Sequence, residues 1–319
     1  MRAMQIVTLG EPLEAREVAR PEPGPGEVLL RVRACGLNFA DTLMVRGEYQ
    51  EKPPLPATPG LEVCGVVEAV GAGVEAPAIG MRVACYGAGG GLAEYLAVAA
   101  ESCVVVPDGM PDVEVAGFLV AYGTSHVALA YRARLRPGET LAVLGASGGV
   151  GLTAVELGAL MGATVIAVAR TGEKRAIAKA AGADHVLSDE DDLRAQMKAL
   201  GGVDVLYDPV GGGAFDVALR ACNPEARIVP IGFASGTVPR IPANILLVKN
   251  LTVHGLYWGA YANLRPKVLT DSFAALFAWY GQGRLRPHVS HVLPLEEANA
   301  GLDLLRTRAA TGKVVIRVN

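Results

Sequence analysis

Cysteine is scarce in this chain of 319 residues, and the few cysteines form no pattern. Cys35, Cys64, Cys85, Cys103 and Cys222 make an odd, widely spaced set without a C-x-x-C pair. That argues against a disulfide framework and against a structural zinc lobe, since both need paired or closely spaced thiols. Runs of like charge are missing too. The net charge is −3 and the pI near 6.0, and Lys and Arg are scattered, so the electrostatic footprint of a nucleic-acid binder is not there. A small or neutral partner is expected instead. No repeat, low-complexity tract or flexible linker is evident. One stretch, 141–169, is apolar enough to raise the question of a membrane span. Ser147, Gly148, Gly149, Thr153, Glu156 and Thr164 interrupt it and its period changes partway, which suits a buried strand–helix–strand unit and no membrane association. Residues 1–10 hold no cationic stretch leading into an apolar one, so no secretory signal is expected and the reading is cytoplasmic.

The length exceeds one ordinary hydrophobic core, so two domains are expected. From residue 1 to about 116, short Val/Leu/Ile-rich runs (27–32, 65–70, 82–85) alternate with Gly and Pro, which predicts an all-β, barrel-like domain. From about 119 to 255 the pattern changes. Strand-length apolar runs at 141–144, 164–169, 185–187, 203–207, 227–231 and 251–255 alternate with helix-length segments rich in Ala, Leu, Glu and Lys. Six strands with helical crossovers predict a doubly wound parallel sheet, an α/β fold. Residues 256–319 carry helices around 272–280 and 295–306 and a final strand at 313–318, too little for a domain of their own. The expected division is therefore 1–118 with 256–319 as one domain and 119–255 inserted as the other.

The strongest chemical signal is Leu141-Ala-Val-Leu-Gly145-Ala146-Ser147-Gly148-Gly149-Val150-Gly151, a buried strand running through glycines into a helix. Glycines there let the backbone turn sharply, approach a pyrophosphate and pack helix on strand, while the helix N-terminus offers amides and positive dipole to phosphate. Ser147, Gly148, Gly149 and Val150 are the candidate phosphate-binding residues. The loop is a variant, because Ala146 replaces the first glycine of G-x-G-x-x-G. At the end of the next strand an NAD site would place a carboxylate for the ribose hydroxyls. Here the strand ends Val168-Ala169-Arg170, with Lys174 a turn later. Two cations favour a 2′-phosphate, hence NADPH. Glu173 is either helix N-terminal charge or a ribose contact.

These pieces, in this order, resemble the medium-chain dehydrogenase/reductases along nearly the whole chain. The matching stretches are Cys35-Gly-Leu-Asn-Phe-Ala-Asp41, Pro59-Gly-Leu-Glu-Val-Cys-Gly65, the Ala-Ser-Gly-Gly-Val-Gly loop, Gly182-Ala-Asp-His-Val186, Asp208-Pro-Val-Gly-Gly212, Ile231-Gly-Phe-Ala-Ser235 and Thr311-Gly-Lys-Val-Val315. The resemblance implies a GroES-like β-barrel catalytic domain and a six-stranded Rossmann cofactor domain. Zinc alcohol dehydrogenases of this superfamily carry a ligand Cys where this chain has Asn38, and a His-Glu pair where it has Leu61-Glu62. Amide and apolar side chains cannot replace thiolate and imidazole, so no catalytic zinc is expected. Asn38, and Arg46-Gly-Glu-Tyr49, resemble the zinc-free quinone oxidoreductase and zeta-crystallin branch. Leu43 departs from a tyrosine frequent there, making the acceptor pocket more apolar. Asp189 departs from a cofactor-contacting tyrosine and puts an anion near the expected phosphate.

Without zinc, flavin or an activated nucleophile, the implied chemistry is direct hydride transfer from nicotinamide to a quinone or an α,β-unsaturated carbonyl. Either acceptor gathers negative charge on oxygen, which the Asn38 amide or the Tyr49 hydroxyl could stabilise. The resemblance further places Thr124 beside the nicotinamide ribose, Phe233, Gly255 and Tyr257 around the nicotinamide, and Arg308 within reach of the cofactor. Asp41 and Glu62 read as a structural carboxylate network. The five histidines, His126, His185, His254, His288 and His291, show no metal spacing. Three functions follow: an NADPH-dependent quinone reductase in first place, an enoyl or alkenal reductase, and a non-catalytic NADPH-binding protein of zeta-crystallin type. A homodimer is implied by the resemblance, with strand 251–255 a candidate for pairing across subunits.

Overall fold

The computed structural model describes residues 1–87, 89–190 and 192–318. The chain separates into two compact units, Met1–Val120 with Pro287–Asn319, and Ala121–Arg286. The inserted unit is therefore longer at its C-terminal end than the sequence predicts, and residues 256–286 do not return to the first unit.

The first unit opens with a small hairpin, β1 (Arg2–Gln5) and β2 (Glu14–Glu17). Next come β3 (Glu27–Leu37), helix α1 (Phe39–Val45), β4 (Glu62–Val70), β5 (Arg82–Tyr86), β6 (Tyr95–Ala99), β7 (Cys103–Val105) and helix α2 (Asp112–Ala116). The eleven-residue β3 organises the sheet. One edge pairs with β4, and the other pairs with β6 at its start and with the returning strand β15 (Lys313–Arg317) at its end. One long strand serving three neighbours bends the sheet toward a barrel. Its interior holds Val28, Leu30, Val32, Leu37, Val63 and Val83 with Val314 and Ile316 from the return.

The second unit starts in helix α3 (Leu119–His126), continues through a π-helical turn, Val127–Arg132, and then alternates strand and helix. The elements are β8 (Thr140–Val143), α4 (Gly149–Leu160), β9 (Thr164–Val168), α5 (Gly172–Ala180), β10 (His185–Leu187), α6 (Leu193–Ala199), β11 (Val203–Asp208), α7 (Gly212–Ala221), β12 (Cys222–Pro230), α8 (Ala243–Lys249) and β13 (Thr252–Val253). All six strands are parallel, in the order β10-β9-β8-β11-β12-β13. This is the doubly wound sheet that the apolar runs predict, and β8 and β11 at its centre are apolar on both faces because helices cover both. Helices α9 (Tyr261–Leu264) and α10 (Pro266–Gly281) complete the unit.

The attachment of α10 explains the shifted boundary. His126 Nδ1 meets Ser272 Oγ at 2.8 Å and stacks edge-on against Trp279, and Phe273 packs edge-on against Trp258. The His126 contacts bind α10 to α3, and Phe273 holds it against the turn at Trp258. Only at Pro287 does the chain rejoin the first unit, as β14 (Val289–Pro294), helix α11 (Ala298–Arg306) and β15. Among the described residues no helix is long and apolar enough to cross a membrane.

Candidate functional site

In the second unit, the chain leaves β8 and reaches α4 through residues 144–148. Gly145 is the residue that takes the left-handed conformation, at φ +57°. Ala146 is not, and it is fully buried with its N–H on Val168 O, which explains why alanine is tolerated where the common motif has glycine. A Cβ on Gly151 would lie 2.2 Å from Gly145 O, so the third glycine of the motif lets α4 press against the loop. Gly148 is the N-cap of α4 and carries no side chain to bond the amides of the first turn. A Cβ there would meet only Gly145 O, at 3.5 Å. The first-turn N–H groups of this helix thus lack the side-chain cap that usually satisfies them, which is the arrangement that receives a phosphate. Ser147 is buried beside them.

Around the loop, Asp208 at the end of β11 accepts the N–H groups of Val210 and Gly211, and Val210 lies where a Cβ on Gly145 would strike it. The Asp-Pro-Val-Gly-Gly segment is therefore a second wall of the loop. Burial pushes the Asp208 carboxyl up from its ordinary value, while the two N–H groups pull it down. Helix α3 is fastened to α4 by a buried hydroxyl network that sequence reasoning missed. Ser125 Oγ lies 2.8 Å from both Thr153 Oγ1 and Tyr207 OH and donates to Val150 O. Thr124, next to Ser125, is buried, and Gly123 has no side chain because a Cβ would lie 2.8 Å from the Trp258 ring.

At the tip of β9, Arg170 is exposed and Lys174 half-buried, with the Lys174 N–H on the Thr171 cap of α5. Arg175, also missed in the sequence, donates to the carbonyls of Ala169 and Arg170, so three cationic residues surround the strand end. Glu173 is exposed in the first turn of α5, and Asp189 is exposed beyond β10. Phe233 and Tyr257 are 40% and 43% exposed, unusual for large aromatics, on the loops that follow β12 and β13, and Gly255 is exposed close to Tyr257 in the chain. Arg308 belongs to the first unit, on the turn after α11, at φ +58°.

The first unit carries the other candidates. Asn38 is half-buried at the N-cap of α1, at the end of β3. Register explains its surroundings. Val314 of β15 pairs with Leu37, and Glu62 of β4 pairs with Gly36, so Lys313, Asn38 and Glu62 stand at the ends of three adjacent strands, at the same edge. Lys313 Nζ donates to Asn38 Oδ1 at 2.8 Å and to Glu62 Oε1 at 2.5 Å. Asn38 Nδ2 donates to Glu62 Oε1 at 3.1 Å and to Gly36 O at 3.2 Å. Asp41 Oδ2 accepts the Asn38 backbone N–H and its Oδ1 that of Gly60. The carboxylates do form a network, as the sequence reading has it, but one centred on Asn38 and including Lys313. Both amide hydrogens of Asn38 are already bonded, so in this arrangement its side chain is a held group before it is a donor to any ligand. Burial raises Asp41 to about 6 and pushes the Cys35 thiol well up, leaving that thiol inert. Tyr49 lies half-buried on the segment after α1, packed against the barrel core.

The site does not fit a catalytic zinc. Leu61 offers no donor, and the Glu62 carboxylate is engaged by an ammonium, a backbone N–H and an amide. Among the described residues no three His, Cys, Asp or Glu side chains gather closely enough to hold a metal ion.

Comparison with known proteins agrees with this geometry. Residues 24–108 match the alcohol dehydrogenase GroES-like domain family, and residues 149–274 match the family described as zinc-binding dehydrogenase. The chain is similar to quinone oxidoreductase-like protein 2 of Rattus norvegicus, 38% identical over 99% of this chain and 91% of that protein. Among solved structures it is similar to the quinone oxidoreductase of Thermus thermophilus, solved also with NADPH, at TM-score 0.89 and 36% identity, covering 100% of both chains. It is also similar to the Escherichia coli quinone oxidoreductase in complex with NADPH, at TM-score 0.94 and 28% identity, over 99% of this chain and 100% of that one. Taken with a helix N-terminus that has no side-chain cap and a barrel edge where no zinc ligand set is gathered among the described residues, these likenesses mean that the chain belongs to the quinone oxidoreductase branch of the medium-chain dehydrogenase/reductases, a family of oxidoreductases.

Proposed function

We propose that this protein is an NADPH-dependent quinone oxidoreductase that works by direct hydride transfer. One observation carries the reading. Helix α4 opens on a glycine cap beyond the central strand β8, and the neighbouring strand β9 is followed by Arg170, with Lys174 and Arg175 behind it, the nearest carboxylate being Glu173 on the first turn of α5. An uncapped helix N-terminus takes the pyrophosphate, and guanidinium and ammonium groups take a 2′-phosphate that a carboxylate would repel. NADPH complexes of the Thermus and Escherichia coli neighbours support the same cofactor.

Ser147, Gly148, Gly149 and Val150 would hold the pyrophosphate, Arg170 and Lys174 the 2′-phosphate, and Thr124 the nicotinamide ribose. Phe233, Gly255 and Tyr257 would flank the nicotinamide, and Arg308 is a further candidate for the cofactor. The cofactor, when bound, supplies the hydride. The protein's part is to orient, to exclude water and to stabilise charge that develops on the acceptor oxygen. Asn38 and Tyr49 are the candidate donors, and an acceptor oxygen would compete for the Asn38 hydrogen now on Gly36 at 3.2 Å. A homodimer fits the edge position of β13, with Leu247 and Val248 of the adjoining α8 79% and 75% exposed.

The test is oxidation of NADPH and NADH by purified, chelator-treated protein with 1,4-benzoquinone, 9,10-phenanthrenequinone and a panel of enones. Turnover of NADPH with quinones supports the reading. Turnover with enones alone replaces it with an alkenal reductase, and binding of NADPH without turnover of any acceptor removes the enzyme.

A further inference from the structure

Buried charge is expensive, and an ion pair inside a core is often no more stabilising than apolar residues of the same size. In the first unit, the buried charged residues among those described are Asp41, Glu62 and Lys313, at 0%, 2% and 6% exposure. All three converge on one residue that is not itself fully buried. Asp41 holds the backbone N–H of Asn38, Glu62 holds its Nδ2, and Lys313 holds its Oδ1. The neighbouring positions on these strands, Leu37, Val63, Val314 and Ile316, are apolar core. Lys313 lies on the other face of β15 from Val314 and Ile316, against the buried Glu62, and a well-packed apolar pair in place of the two charges would be about as stable, so stability alone does not call for an ion pair there.

The chemistry of the contacts adds a second point. An ammonium has hydrogens and no lone pair, so the Asn38 atom that faces Lys313 must be the carbonyl oxygen. The amide NH2 is then necessarily turned toward Glu62 and Gly36, both of which only accept. Lys313 therefore determines which way round the Asn38 amide stands. The lysine stem is itself held, lying where a Cβ on Gly117 would come within 3.1 Å of its Cγ. Its backbone N–H is tied to His288 O, and a Cβ on Gly312 would lie 2.3 Å from that same oxygen.

We infer that Lys313 is a positioning residue, which with Glu62 locks the Asn38 side chain in the single orientation that the reduction of the acceptor requires. The inference rests on the proposed role of Asn38 in that reaction. It makes Lys313 act on turnover through Asn38 and not on the binding of the dinucleotide.

A double-mutant cycle in the full-length protein tests it. Asn38→Ala is expected to lower kcat with a quinone about 100-fold, the scale for losing one preorganised donor. Lys313→Met is expected to lower kcat at least about tenfold and to leave KM for NADPH within about twofold. In the double variant N38A/K313M, kcat is expected to match that of N38A alone within about twofold, because the lysine has no target left. Multiplicative losses, or wild-type kcat in K313M, would overturn the inference. If K313M does not fold, the cycle is run in Glu62→Gln protein, where loss of the lysine no longer strands the carboxylate it is bonded to, and is read in the same way.

A readout without turnover keeps this test apart from the one above. In protein labelled with 15N-asparagine, the side-chain signal missing from N38A identifies Asn38. K313M is expected to shift that signal and leave the other asparagine side chains in place. An unmoved Asn38 signal would overturn the positioning role even where quinones are reduced. A shifted signal in a protein that reduces no acceptor would leave the lock in place and remove the reaction assigned to it.

Discussion

Adding one methyl group to either of two glycines of the phosphate loop should have opposite consequences, although they stand three residues apart. At Gly148 the backbone has φ −79° and ψ 173°, which alanine adopts without strain, and the new Cβ would meet only Gly145 O at 3.5 Å. The cost to folding is that of alanine as a poorer cap than glycine, up to about 0.7 kcal/mol, or about 2 °C in Tm for a unit of this size. The methyl would nevertheless stand in front of the first-turn amides of α4, where phosphate oxygens are expected to lie, so the Kd for NADPH should rise at least about tenfold. At Gly151 the new Cβ would lie 2.2 Å from Gly145 O and 2.9 Å from its carbonyl carbon, both backbone atoms. Reaching ordinary contact requires the loop to move by roughly 1 Å, an overpacking cost of about 3 kcal/mol. Alanine's better helix propensity returns about 1 kcal/mol, leaving a net loss of about 2 kcal/mol. That is roughly 4–8 °C in Tm. Thermal unfolding and titration of NADPH fluorescence on G148A and G151A measure both quantities. A G151A protein as stable as G148A would refute the packing argument, and wild-type NADPH affinity in G148A would refute the placement of the phosphate.

Arg170→Ala and Lys174→Ala should each raise KM for NADPH about tenfold and leave KM for NADH within about twofold, since each removes a partner only of the 2′-phosphate; equal effects on both dinucleotides in steady-state assays would contradict this. Asp41 is held at about 6 by burial against an ordinary value of 3.8, so between these values the folded protein keeps a proton that the unfolded chain has lost. Stability should therefore fall by about 3 kcal/mol as pH rises from about 4 to above 6, a loss that Asp41→Asn lacks. Parallel plots of unfolding free energy against pH for the two proteins would count against it. Prolonged chelation should leave NADPH oxidation unchanged, as measured before and after dialysis against a strong zinc chelator. Leu247→Lys with Val248→Lys should convert a dimer to a monomer in light scattering, and an unchanged mass would move the interface away from β13.

Those expectations draw unequally on the sequence. Periodicity was sufficient for the parallel sheet, because a strand covered by helices on both faces must be apolar throughout, and each of the six runs became a strand. It was not sufficient for the boundary at Pro287, because the helix 266–281 is attached to α3 by the pairing of His126 with Ser272 and Trp279, residues 146 or more positions apart in the chain. The tight turn from β8 into α4 was legible since its glycines carry meaning one by one, yet the sequence could not say why Ala146 is allowed. The answer is conformational, with the left-handed turn at Gly145. Least legible was Lys313. In sequence it is one lysine before a run of valines, and strand-start lysines are ordinarily solvated. Only the pairing of β15 with β3 brings it against Asn38 and Glu62, 275 and 251 residues away. Buried ionic networks are assembled by sheet register, which local sequence does not encode. The local signs were its place in the matching stretch Thr311-Gly-Lys-Val-Val315 and a cation at the start of an apolar run, and neither names its partner.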